Sequence, residues 1–303
     1  MTAFGADDLL YHDIGIILGE ALRRSYFNSM LLMAPKIRSV VIITKRKNNE
    51  AKMAAKRIAN LLNKMQVKTY TVLPLKITGS KALAADEVNS DIDLIFAIGG
   101  DGTTLKAFRT ISGNLPLLSI NIGGHRGILS EVDTASVDQA IKAIVEGKYY
   151  LDSRMRIQAS SDKKKFPPAL NEVLITRAIL THTPNMSINL MDYEINGRMD
   201  GLVVSTPTGS TGHSLSMGGP VLHESMYCLI LSPVAPVNRL PQIVIPEAEI
   251  VVKVNQPSYV VIDGQATFKI NQEQEIRISR FAQDAQFLRI DKKGMRQLIK
   301  LGY

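Results

Sequence analysis

A single cysteine in 303 residues excludes a disulfide framework or a cysteine metal site within the chain. That residue, Cys228, sits inside "MYCLILSP", which reads as a buried apolar thiol rather than a nucleophile. No apolar run reaches the roughly 18 to 20 residues of a membrane span, so no membrane partner is expected. The opening "MTAFGADDLLYHDIG" has three acids and no lysine or arginine, the wrong sign for a secretory signal, and the cytoplasm is the expected location. The histidines at 12, 125, 182, 213 and 223 make no H-E-x-x-H or other metal spacing. Internal repeats and low-complexity tracts are also missing. Acids are outnumbered, 28 against 36 lysines and arginines, and the net charge of +8 favours anionic partners: nucleic acid, acidic lipid or phosphorylated small molecules. The basic stretch "SDKKKFPP" (161–168) reads as a solvated turn, so no nucleic acid is expected.

What is present is an α/β texture followed by a β texture. "IRSVVIITK", "VKTYTVL", "LIFAI" and "LPLLSIN" read as strands, and "NNEAKMAAKRIANLLNKM" as a helix with Ala51, Ala54, Ala55, Ile58, Leu61 and Leu62 on one face. From about residue 132 the runs become short, strand-like and separated by Pro, Gly, Asn and Asp. The chain is long enough for two domains. The expectation is an α/β plus β fold: a Rossmann-like α/β domain over 1–131 and a β-rich domain over 132–291. The closing segment 292–303 is read as a helix packing back on the first, and residues 1–30 as a mostly helical preface.

Within "IFAIGGDGTTLKAF" (95–108), a parallel strand delivers Asp101 to its carboxyl end, where open α/β sheets bind ligands. Gly99, Gly100 and Gly102 allow unusual backbone angles and close approach of a ligand, and Thr103 or Thr104 is expected to cap the helix that follows. A helix start favours phosphate. The P-loop lysine is absent, as is an intact G-x-G-x-x-G, so a triphosphate here needs another cation, a divalent metal. Asp101 could hold that metal, or take a proton from an attacking hydroxyl, or merely close an Asx turn. Further on, "DGLVVSTPTGSTGHSLSMGGP" (200–220) places five hydroxyl residues on a strand exit, suited to sugars or phosphates, although a hydrophilic hairpin explains them too. No G-x-S-x-G elbow supports a serine hydrolase.

"GGDGT" (99–103), "GHRG" (124–127), "ALNEV" (169–173), the 200–220 stretch, "SPVAP" and "VIDGQ" occur in an order that resembles the NAD kinase family. The resemblance runs from about residue 38 to the end. "GGDGT" alone is shared with diacylglycerol kinases and phosphofructokinases, so a lipid or sugar kinase, or a non-catalytic dinucleotide sensor, are the rival readings. The resemblance implies phosphorylation of the 2′-hydroxyl of the adenosine ribose of NAD to give NADP, with ATP or polyphosphate as donor and a divalent metal, Mg²⁺. It implies Asp101 as the catalytic carboxylate with Gly99, Gly100, Gly102, Thr103, Gly124, His125 and Gly127 around it. Asn171 and Glu172 would hold dinucleotide hydroxyls, Asp200 a base or amide, Arg198 a phosphate or carboxylate, and Thr211, Gly212, His213 and Ser216 further contacts. It also implies a homo-oligomer, dimer or tetramer, with a neighbouring subunit near the site. The chain departs from the family at Gly212-His213, where Ala-Tyr is usual, at Ile128 and Leu129, where an aromatic is preferred, and in an "NIGGHRG" one residue longer than usual, which displaces Asn121.

Overall fold

Val40 to Ile43 and Leu94 to Ile98 are apolar at every position, a pattern that requires cover on both faces of a sheet. The structure, a computed structural model, describes residues 36–302 except 112, 124–126, 163, 292 and 293. The 1–30 preface therefore lies outside the described residues. Among those described, an eight-stranded sheet runs Lys81–Leu83, Lys68–Val72, Ser39–Thr44, Leu94–Gly99, Leu117–Asn121, Ala285–Arg289, Tyr150–Arg154, with Val132–Asp133 also beside Leu117–Asn121. Every pair is parallel except Ala285–Arg289 with Tyr150–Arg154.

Alternate side chains of each strand feed opposite faces. Val40, Ile42, Phe96 and Ile98 join the Asn49–Lys64 and Val137–Val145 helices in one core. Val41, Ile43, Ile95 and Ala97 join Leu105, Phe108, Leu129 and Leu170 in another, so the second face is also where the later loops arrive. The Asn49–Lys64 helix starts where Asn48 accepts the Ala51 amide at 2.7 Å. Its buried stripe is Ala51, Ala55, Ile58, Ala59 and Leu62, while Ala54 and Leu61 lie half-buried beside it.

The second half is a sandwich of two antiparallel six-stranded sheets. One is ordered Ile243–Pro246, Cys228–Val234, Gly201–Ser205, Glu172–Arg177, Ser258–Ile262, Ala266–Ile270. The other is ordered Tyr193–Arg198, Asn185–Leu190, Ile250–Val254, Ile276–Arg280, Ile157–Ser161, Lys164–Lys165. Their facing sides share one core, including Val173, Val204, Val252, Val260 and Ile278. Cys228 is buried, unpaired by any disulfide, and its thiol is pushed up by burial, as an inert core cysteine should be. The 161–168 segment is not a bare turn: Lys164 and Lys165 form a short strand, and Lys164 lies over the Phe268 ring.

Sheet membership divides the described chain differently from a boundary at residue 132. Val137–Val145 is a helix of the first layer, and Tyr150–Arg154 and Ala285–Arg289 are strands of the first sheet. A run such as "AQFLR" fits either sheet, and pairing across more than a hundred residues decides between them. The closing helix is Arg296–Leu301 and bridges both halves. Arg296 pairs with Glu131 at 2.5 Å, and Gln297 donates to the Thr208 carbonyl at 3.2 Å. Around it every buried charge has a partner: Arg289 with Glu131 and Asp152, and Arg154 with Asp152 and Glu224. Among the described residues no helix is long and apolar enough to cross a membrane.

Candidate active site

The Leu94–Gly99 strand ends and the Asp101–Thr110 helix begins with one residue between them. Gly100 is the cap position and no side chain caps the helix. Thr103 and Thr104 lie inside it, which corrects the expected hydroxyl cap. Thr104 instead bonds Ser119 at 2.6 Å across the sheet. Asp101 occupies the first helical position, where a negative charge suits the positive end of the helix.

None of Gly99, Gly100 and Gly102 has a positive φ, and Gly99 and Gly102 serve proximity instead. A Cβ on Gly99 would stand 2.2 Å from the Thr103 hydroxyl, and one on Gly102 would stand 3.0 Å from the Gln265 amide nitrogen. Gly100 faces open space. Gly127 is the opposite case. Its φ of +59° places it in the left-handed region, and a Cβ there would lie 2.6 Å from the Asn121 amide.

That left-handed residue aims the next two amides at the carboxylate. The Ile128 N–H donates to one oxygen of Asp101 and the Leu129 N–H to the other, each at 3.0 Å. The Asx-turn reading fails, because these partners lie 27 and 28 residues away. The two amides use two of about four acceptor positions of an ionised carboxylate and fix its plane. Arg289 in turn donates to the Leu129 carbonyl at 3.1 Å, which ties the segment to the buried charge network. Asp101 also lines a cavity of about 440 Å³ with Gly100, Gly102, Thr103, Lys45 and Lys106.

The second half comes to this place through the turn after Ser258–Ile262. Gln265 donates to the Gly102 carbonyl at 2.9 Å and accepts from Arg109 at 2.8 Å. Two residues earlier, buried Asp263 accepts the amides of Leu170, Asn171 and Glu172 at 3.2, 2.8 and 3.3 Å. The 206–212 segment closes the other side. Thr206 donates its hydroxyl to the Leu170 carbonyl at 2.6 Å, and a Cβ on Gly209 would stand 2.1 Å from the Asn171 carbonyl oxygen. A Cβ on Gly212 would stand 3.5 Å from a Glu172 carboxylate oxygen.

This junction holds unusual polar groups. Asn171 Oδ1, Glu172 Oε2, Ser205 Oγ and Thr208 Oγ1 are buried with no hydrogen-bond partner among the described residues. Burial, and then the neighbouring Asp263 carboxylate, push Glu172 up to about 8. Burial raises Asp263 as well, against the three amides it accepts. Unpaired buried acceptors are costly in a folded chain, and this cluster is a candidate place for a ligand with hydroxyl donors.

Thus Gly99, Gly100, Asp101, Gly102, Thr103, Gly127, Asn171, Glu172, Thr211 and Gly212 are brought to one junction. His213 and Ser216 are exposed on the short His213–Ser216 helix at its rim. Gly124 and His125 lie outside the described residues. Arg198 and Asp200 are not brought to the junction. Glu172 pairs with Ser205, whereas Thr176 pairs with Gly201 four residues along the strand, about 13 Å away at 3.3 Å per residue. There Asp200 pairs with Arg177 at 2.9 Å, and Arg198 is exposed. Lys106, Arg109, Asp263 and Gln265 were not predicted individually. "VIDGQ" carried a signal for the last two, but their partners lie far away in sequence.

The ATP-NAD kinase N-terminal domain family matches residues 40–149, and the ATP-NAD kinase C-terminal domain family matches residues 170–290. An NAD kinase of Thermococcus sibiricus is 32% identical over 265 residues, covering 83% of this chain and 94% of that one. The crystal structure of an NAD kinase from Archaeoglobus fulgidus in complex with ATP superposes with a TM-score of 0.73 at 25% identity, covering 87% of this chain and 98% of that one. Yeast NADH kinase complexed with NADH shares the fold, with a TM-score of 0.78 at 18% identity over 88% of this chain and 87% of that one. With both halves matched in order, the chain belongs to the NAD kinase family, whose reaction is the phosphorylation of NAD to NADP.

Proposed function

We propose that the NAD kinase reaction runs on this chain with Asp101 accepting the proton of the adenosine-ribose 2′-hydroxyl as that oxygen attacks the terminal phosphorus of ATP or another phosphoryl donor. The new bond joins the ribose oxygen to phosphorus. The bond from phosphorus to the donor's bridging oxygen breaks, and the shortened donor leaves with that electron pair. Asn171 and Glu172 hold dinucleotide hydroxyls, and Thr211, Gly212, His213 and Ser216 line the approach. The observation that carries the reading is the pairing of a carboxylate in an open cavity with buried, unpartnered acceptors across one clasp, Gln265. Because phosphoryl transfer asks little covalent chemistry of a protein, positioning by the Ile128 and Leu129 amides contributes alongside proton transfer.

A divalent ion such as Mg²⁺ fits beside the donor rather than in a protein cage. Among the described residues no group of three or more metal-ligating side chains occurs, and Asp101 is the carboxylate in the cavity. When bound it would neutralise charge on the donor phosphates. The distance of Arg198 and Asp200 from the junction supports a homo-oligomer, dimer or tetramer, in which these residues reach a site shared with a second copy. A cytoplasmic working place completes the reading.

Asp101→Asn keeps the shape and one acceptor oxygen while removing the base. Turnover should fall about 10²- to 10⁴-fold, with NAD affinity by calorimetry unchanged. Full activity in the variant would overturn the base assignment.

A further inference from the structure

A helix that merely covers a core turns its apolar side chains inward. The closing Arg296–Leu301 helix does the reverse. Its buried residues are Arg296 and Gln297, while Leu298 and Leu301 are half-buried and Ile299 is 53% exposed. Burying a guanidinium and an amide is costly unless their polar atoms are met, so this helix is seated by specific bonds more than by apolar area. The two neighbours reach opposite halves of the molecule. Arg296 Nη1 lies 2.5 Å from Glu131 Oε2, and Arg289 Nη1 lies 3.3 Å from the same oxygen. Arg296 Nη2 donates to the Tyr150 hydroxyl at 3.1 Å and to the Asp291 carbonyl, and the Arg296 backbone amide donates to Glu224 at 3.0 Å. Gln297 donates to the Thr208 carbonyl at 3.2 Å. Each contact stops one step short of the active junction. Glu131 stands two residues after Leu129, whose N–H holds Asp101, and Arg289 links the Glu131 carboxylate to the Leu129 carbonyl. Thr208 begins the Thr208–Thr211 turn, and its own hydroxyl is one of the buried groups with no partner among the described residues.

We propose that the closing helix is a strut that sets the two sides of the active junction against each other. Arg296, through Glu131 and Arg289, fixes the 127–131 segment that orients Asp101, and Gln297 fixes the loop that carries the Thr208 hydroxyl. Both act through other residues and are positioning residues. The roles given to the two sides rest on the phosphoryl-transfer reading, whereas the contacts themselves do not. Adjacent residues on one helical turn hold their two targets at a fixed separation, and phosphoryl transfer depends on such placement more than on covalent chemistry. A strut of this kind has separable arms: loss of the arginine arm misplaces the carboxylate, and loss of the glutamine arm loosens the dinucleotide side.

The test combines steady-state kinetics with amide hydrogen exchange on the full chain. Arg296→Met leaves Glu131 paired with Arg289 and with the amides of Ile290 and Asp291, so the carboxylate is not stranded. Its kcat should fall about ten- to a hundredfold with the KM for NAD within about twofold, and exchange should quicken over 127–131. Arg296→Lys, which keeps a cation beside Glu131, should recover most of the rate. Gln297→Met should raise the KM for NAD about fivefold with kcat within about twofold, and quicken exchange over 206–212. On an Asp101→Asn background, Arg296→Met should lower kcat no more than about twofold further. Ile299→Gln, at an exposed position of the same helix, should alter neither constant. Exchange needs no turnover, so quickened exchange in both segments beside a fully active Asp101→Asn would refute the base assignment alone and leave the strut standing. Should Arg296→Met fail to fold, Arg296→Lys against Gln297→Met carries the same split between kcat and KM. Unchanged kinetics and exchange at the parent's unfolding temperature overturn the proposal. So do parallel losses in kcat and KM that follow only the fall in unfolding temperature, which would make the helix a stabiliser and nothing more.

Discussion

The two sides of the active junction are built on opposite electrostatic terms. On the first sheet, several cations line the cavities with Asp101 as the single acid, while across the Gln265 clasp two acids, Glu172 and Asp263, are buried with few cations near. Lys45 and Arg46 on the first side are exposed, and Lys106 is lowered by burial. The second is desolvated, and its acids move toward the neutral form. The difference fits the proposed reaction, in which phosphates would meet exposed positive charge and sugar hydroxyls would meet buried acceptors without partners among the described residues.

Breaking the acidic side at its support should have the largest effect. Asp263→Ala removes the acceptor of three buried amides, and each such loss costs about 1 to 3 kcal/mol. A fall in unfolding temperature and a rise of about tenfold or more in the KM for NAD are expected, with Asp263→Asn recovering part of both. Thermal unfolding and steady-state kinetics measure these directly.

A smaller effect should follow at the joint between the sides. Gly127→Ala places a side chain in a left-handed conformation and close to Asn121, at a cost of about 2 kcal/mol. Because the next two amides hold Asp101, kcat should drop more than KM changes. An unaltered kcat in a destabilised variant would show that the 128–129 amides do not position the carboxylate.

The comparison is sharpened most gently by pH. Glu172 has a folded-state value near 8 against an ordinary 4.5, so between these values the folded chain binds more protons than the unfolded one. Stability from this group is complete below about pH 4.5 and is lost as pH rises through 8. Glu172→Gln cannot ionise and should flatten this loss. Its unfolding temperature relative to the parent should rise by about 3 °C or more between pH 6 and pH 9. Parallel curves for the two proteins would place the Glu172 carboxyl in a solvated setting.

Much of this arrangement could be read before any coordinates. The β-branched and apolar strands at 39–44 and 94–99, and the delivery of Asp101 to a sheet edge, follow from local pattern. The basic cleft was half legible: "KRK" follows directly on the first strand, but the approach of Lys76 and Lys106 depends on strand order, which periodicity does not encode. Asp263 was visible only as part of a motif. Its bonds span more than ninety residues, and no local rule links a turn acid to the amides of Leu170 and Asn171. Of the glycines of "GGDGT", Gly99 and Gly102 meet close neighbours and Gly100 faces open space, a difference that only the folded chain reveals. The sequence does not show that Asp200 and Ser205 stand at opposite ends of one strand, with Asp200 paired to Arg177.

The position of Ala285–Arg289 between Leu117–Asn121 and Tyr150–Arg154 has a consequence for the order of assembly. A ribosome finishes residue 121 long before residue 285. Meanwhile one side of Leu117–Asn121 has only the two-residue Val132–Asp133 strand to cover it. The nascent chain therefore carries an unpaired sheet edge through most of its synthesis, and the segment that holds Asp101 gains its Arg289 brace only near the end.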